Sequence, residues 1–208
     1  MTLSIKYIAL ALTFSFVGGL VSAQHGITFS RKERMGEVAQ AKQRLETLKD
    51  GVLFIRLHSR TKQIEYLRDA GNPKAARRLI EKQYQHNMAI AKAFKKNYNY
   101  SKYYFFYNIH STEVKEGQYQ NVVLNESLLP VANFIPPTEN KRYILDSHNI
   151  NIESMGTTQK GFEVMDGKFG KLERPFPYYV MKHEATLKLT YDDMVKKLQK
   201  KFLRFESK

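Results

Sequence analysis

Two short runs constrain the fold of this chain more than anything else in it: Val-Leu-Phe-Ile at residues 52–55 and Tyr-Tyr-Phe-Phe-Tyr at residues 103–107. Continuous apolar or aromatic stretches of this length suit buried strands better than helices. The segment between them reads as helix. Residues 61–70 carry Ile64 and Leu67 on one side and close at Gly71. Asn72-Pro73 then restarts the helix, with asparagine as N-cap and proline at the first helical position. Residues 74–96 place Ala76, Leu79, Ile80, Tyr84, Met88, Ala91 and Phe94 at helical spacing. A strand, roughly 45 residues of helical crossover and a second strand predict a parallel pair.

The remaining elements fit around that unit. Residues 30–49 read as a helix with Ser30 and Glu33 at capping-box spacing and an apolar stripe of Met35, Val38, Ala41, Leu45 and Leu48, ended by Asp50-Gly51. Residues 121–124 and 142–145 are expected as short strands, separated by an irregular stretch around Pro130, Pro136 and Pro137. Residues 161–165 and 178–181 read as an antiparallel hairpin. A final helix starts at the capping pair Thr190 and Asp193 and aligns Val195, Leu198, Phe202 and Phe205. The expected class is therefore α/β (or α+β), a mixed sheet with packed helices and a C-terminal helix. That order is also the skeleton of a thioredoxin-like fold. The redox chemistry does not follow, because there is no Cys-x-x-Cys.

The N-terminus gives an expected address. Lys6, the apolar run 7–20 and Val21-Ser22-Ala23 have the form of a secretory signal with cleavage after Ala23. The run falls short of the about 20 apolar residues of a membrane span, so no transmembrane segment is expected after cleavage. The expected division is a signal peptide at 1–23, an amphipathic helix at 24–50 and a single α/β domain at 51–208. The chain has no cysteine. That excludes disulfides, thiol catalysis and Cys-ligated zinc, and mildly favours a bacterial periplasm or cell surface.

The stretch Asp50-Gly51-Val52-Leu53-Phe54-Ile55-Arg56-Leu57, the aromatic run 103–107 and Pro175-Phe176-Pro177-Tyr178-Tyr179-Val180 together resemble uncharacterised exported proteins of Bacteroidota. The resemblance covers most of residues 48–205. It implies a bacterial exported protein and carries no functional residue with it.

Charge is the next constraint. The net charge is +14, with +11 over residues 24–102 and +2 over 103–208. A field of that sign attracts polyanions. The expected partner is an acidic protein or an anionic envelope surface, with Arg60, Arg77, Arg78, Lys82 and Lys96 as the anchoring charges. The plainer account is that these side chains solvate helix faces. Export argues against an intracellular nucleic acid, although Tyr98, Tyr100, Tyr103, Tyr104 and Tyr107 beside Lys95, Lys96 and Lys102 are a stacking-plus-phosphate combination.

Six histidines are scattered, without a His-Glu-x-x-His helix. Asp146 and His148, two apart on a strand, would point the same way and are the pair to consider for a metal or a shared proton. His58 ends the first predicted strand and His110 follows the second. At the carboxyl ends of parallel strands they would share a rim with Ser59, Arg60, Asn108 and Ser111. There is no nucleophile elbow, P-loop or dinucleotide fingerprint, so no cofactor is expected. The expected function is non-enzymatic binding outside the cytoplasm through a basic helical face. The alternative is an envelope hydrolase or lyase with His58 or His110 as general acid/base.

Overall fold

The first strand, β1 (Val52–Leu57), is apolar on both sides and lies inside the sheet, paired in parallel with β2 (Lys102–Tyr107) on one edge and β3 (Arg142–Ile152) on the other. The computed structural model describes residues 31–152, 157–184 and 187–208. Its main sheet has five strands in the order β2-β1-β3-β4-β5, with β4 (Thr157–Asp166) and β5 (Tyr179–Met181) each antiparallel to the strand before it. A small hairpin follows, β6 (His183–Glu184) with β7 (Leu187–Lys188). The protein is an α/β domain with a mixed sheet. The parallel β1–β2 pair and the β4–β5 hairpin both match the expectation from sequence.

The helices are α1 (Arg31–Lys49), α2 (Thr61–Asp69), α3 (Pro73–Asn97), α4 (Ser111–Glu116) and α5 (Tyr191–Glu206). Asn72 caps α3 by accepting from the Ala75 N–H at 3.1 Å. Thr190 and Asp193 close a reciprocal capping box on α5. Such caps contribute about 1 kcal/mol each. The compact unit runs from Gly36 to Lys208, and the preceding unit ends at Met35. The signal sequence and the Ser30–Glu33 capping pair lie outside the residues whose structure and side chains are described. Among the described residues no helix is long and apolar enough to cross a membrane.

The two faces of the sheet are covered differently. On one, Leu53, Ile55 and Leu57 of β1 pack with Ala41, Leu45 and Leu48 of α1, Ile90, Ala91 and Phe94 of α3, and Val195, Leu198 and Phe202 of α5. Phe202 is fully buried and packs at a tilt against Tyr100 and Phe176, so truncating it to alanine costs about 3–5 kcal/mol. On the other face Val52, Phe54, Phe106 and Ile144 are covered by Val114, Tyr119, Val122 and Val123.

Several details differ from the sequence reading. Residues 121–124 are not a strand: Asn121 is left-handed at φ 62°, Val122 and Val123 bond back to the Tyr119 carbonyl, and only Leu124 bridges to Phe105. β3 runs to Ile152 rather than Leu145, because its polar second half pairs residue by residue with β4. The α1 stripe is buried only from Ala41 onward; Met35 and Val38 are exposed. In α3 the expected Ile80 and Tyr84 are exposed, and the polar Gln83 and Asn87 are buried in their place. The reason lies at the carboxyl ends of the parallel strands.

Candidate functional site

Where β1 and β2 end, the chain turns sharply twice, and the two turns are tied together. Arg60 is left-handed (φ 53°, ψ 27°) ahead of α2. The Ser59 N–H donates to Asn108 Oδ1 at 2.7 Å, joining the end of β1 to the end of β2. Asn87 Nδ2 donates to the His58 carbonyl at 2.9 Å, and Gln83 Nε2 donates to Asn87 Oδ1 at 3.0 Å. The inward face of α3 is polar here because it satisfies backbone at a strand end that no further strand covers.

These contacts frame a cleft of about 440 Å³. His58, Arg60, Asn108 and the β3 residues Ser147, His148 and Asn149 form one side. Lys160 and Gly161 of β4 continue that side, paired with Asn149 and His148, and Lys182 lies beside them. Gln83 and His86 of α3 and Tyr191 and Met194 of α5 form the helical side. The Lys182 N–H donates to the Lys160 carbonyl at 2.7 Å, which sets the two lysines side by side. Among the described residues no aspartate or glutamate lines this cleft.

The cations on the two sides are held differently. His148 Nε2 lies 2.7 Å from Glu163 Oε2 and its Nδ1 lies 3.6 Å from Asp146 Oδ2. Asp146 also accepts from Arg56 Nη1 at 3.0 Å, and His58 Nε2 lies 3.7 Å from Asp146 Oδ1. Both carboxylates are buried. Burial alone would raise Asp146, but His148, Arg56 and His58 outweigh it and hold the carboxyl below its ordinary value. Asp146, with Glu163, correspondingly holds the His148 imidazole above its ordinary value. On the opposite side His86 is pushed down, first by burial and then by Lys182, His58, Arg60 and Lys160. Lys182 is also pushed down, by burial and by Lys188 and Lys160.

The sequence-predicted residues divide among several places. His58 and Arg60 are in the cleft with Asn108, as the strand-end argument expects. His110 is not among its lining residues. The chain enters a 3-10 turn at Asn108–His110 directly after β2, Ser111 Oγ donates to the Asn108 carbonyl, and His110 Nδ1 pairs with Glu113 Oε1 at 3.1 Å. Asp146 and His148 do point the same way, as an ion pair. Among the described residues no three histidine, cysteine, aspartate or glutamate side chains converge as a metal ion requires.

The five predicted anchoring charges do not form one patch. Arg60 is in the cleft, Lys96 pairs with Asp192 at 3.1 Å, and Arg77, Arg78 and Lys82 lie on the exposed side of α3. The tyrosines between 98 and 107 serve packing: Tyr98 and Tyr100 are buried, and Tyr103 packs against Phe94, Tyr98 and Phe105.

Arg56, Gln83, His86, Lys160, Glu163, Lys182 and Tyr191 were missed as site residues. The available signals were a charge inside an apolar strand (Arg56 and Asp146) and polar residues four apart on a packed helix face (Gln83 and Asn87). Lys160, Lys182 and Tyr191 come from separate elements and share no spacing.

Comparison of the chain with family models, with curated proteins and with solved structures gives no match.

Proposed function

We propose that the protein binds a small anionic solute in the cleft at the carboxyl ends of β1 and β2, beside the middle of β3, and that it does so after export from the cytoplasm. One observation carries the binding reading: Arg60, Lys160, Lys182 and three histidines line a single concavity that no carboxylate lines among the described residues. Arg60, Lys160 and Lys182 gathered in this way repel one another, and that repulsion adds to burial, the larger cause, in lowering His86 and Lys182. A bound anion relieves that repulsion, which is a source of affinity that dispersed surface lysines lack. The size is ordinary for a ligand cleft.

An acidic protein or an anionic envelope surface would instead engage Arg77, Arg78 and Lys82. The cleft is favoured because its cations converge on one volume, whereas those three project from one exposed helix face. Export rests on the pattern of residues 1–23. Fractionation of bacteria producing the full chain tests it: a product outside the cytoplasm beginning at Gln24 is expected, and an uncleaved cytoplasmic product would remove that part of the reading.

Calorimetric titration with inorganic phosphate tests the binding. Saturable binding that weakens as salt rises is expected. Lys182→Met should weaken it by about tenfold or more, as removal of a charged hydrogen-bond donor does. Binding unchanged in Lys182→Met would move the site elsewhere.

A further inference from the structure

We infer that His58 makes this cleft selective for an oxyanion that still carries a proton, hydrogen phosphate being the simplest, over equally charged anions that carry none. The inference rests on the cleft being an anion site. His58 Nε2 lies 2.9 Å from the Ser147 carbonyl oxygen. A carbonyl can only accept, so Nε2 carries the hydrogen and donates. In the neutral ring Nδ1 then holds the lone pair and is an acceptor.

The buried carboxylate behind the ring reinforces this arrangement. Asp146 Oδ1 lies 3.7 Å from the same Nε2, is buried, and has no hydrogen-bond partner. Moving the proton to Nδ1 would turn the Nε2 lone pair toward two oxygens, the Ser147 carbonyl and the Asp146 carboxylate. The tautomer is therefore set by β3, the strand that also supplies His148 to the cleft.

A ligand drawn in by Arg60, Lys160 and Lys182 meets donors on one side and an acceptor at His58. Sulfate is a tetrahedral dianion with no hydrogen and would set an oxygen lone pair against the Nδ1 lone pair. Hydrogen phosphate has nearly the same shape and the same charge, and its O–H donates to Nδ1. A site that hydrogen-bonds a ligand hydroxyl rejects the analogue that lacks it, because a polar group is left unpaired. Net attraction comes from the cations, and the choice between anions comes from His58.

The test is calorimetric titration of the full chain at about pH 8 with inorganic phosphate, sulfate and methyl phosphate, the last being a dianion with no O–H at that pH. Phosphate should bind about 30-fold more tightly than either of the others, as expected for one unpaired polar contact. His58→Ala should bring the three affinities within about threefold of one another. His58→Asn, whose amide can turn either its oxygen or its nitrogen to the ligand, should do the same and serves if the alanine variant melts early. Equal binding of phosphate and sulfate by the unaltered protein would overturn the inference and leave the anion site standing. Selectivity that survives both substitutions would also overturn it. Failure of all three anions to bind would instead remove the anion site itself.

Discussion

His148 and His86 line the same cleft and are pushed in opposite directions. The sheet side, with His148 and His58, is backed by the buried carboxylates of Asp146 and Glu163, and its positive charge is answered from within. His86 is instead grouped with Lys160 and Lys182, and among the described residues no carboxylate lines the space they share. The first arrangement carries its counter-charge within the chain; the second is left with charge to neutralise. A structural ion-pair cluster and a ligand site are made of the same residue types here. What separates them is whether the counter-charge belongs to the chain.

The largest expected effect comes from breaking the complete side. Asp146→Ala leaves Arg56, whose guanidinium lies 5.6 Å over the Phe169 ring, and His148 without their shared partner. Removing one member of a buried pair costs about 3–5 kcal/mol. The partial exposure of Arg56 puts the expectation at the lower end of that range, read from urea unfolding. An unchanged midpoint would mean that the cluster contributes nothing to the fold and that the contrast between the two sides is only one of geometry.

Titration sharpens the same comparison with a smaller effect. His148 lies above its unfolded value, so it contributes stability that is full below about pH 6.5 and is lost as pH rises through its folded value. His86 lies below its unfolded value, so it opposes folding as pH falls from about 6.5 through its folded value, and adds nothing above. Stability against pH for His148→Gln and His86→Gln should therefore depart from the parent curve on opposite sides. Phosphate should raise the His86 titration midpoint, followed by NMR of the ring protons, and leave His148 nearly in place. Equal movement of both would mean that the anion sits against the sheet side as well.

Much of the framework was legible because it depends on apolar pattern. The Val-Leu-Phe-Ile run of β1, the aromatic run of β2 and the capping pair of α5 each announce an element whose burial defines it. The cleft was legible only to the extent that strand ends are. His58 and Arg60 follow β1 directly, whereas His110 is carried off by the 3-10 turn after Asn108. The second half of β3 was hidden because Asp146, Ser147, His148 and Asn149 look like a loop. They form strand because each pairs with a residue of β4, from Asp146 with Glu163 to Asn149 with Lys160. Lys160 and Lys182 become neighbours only through the pairing around β4 and β5, and no sequence period records that.

The smallest expected effect concerns the face that sequence alone favoured. Arg77, Arg78 and Lys82 are exposed on α3. Reversing all three to glutamate lowers the net charge by six without touching the cleft lining. Stability should change by about 0.5 kcal/mol or less per site, as is usual for exposed positions. Phosphate affinity should fall only slightly at low ionic strength, where a distant field still reaches the cleft, and the difference from the parent should vanish as added salt screens that field. A loss as deep as that of Lys182→Met would mean that the anion is held on the outer face of α3. The uncompensated side of the cleft would then need some other counter-charge, and the contrast between His86 and His148 would no longer mark a ligand site.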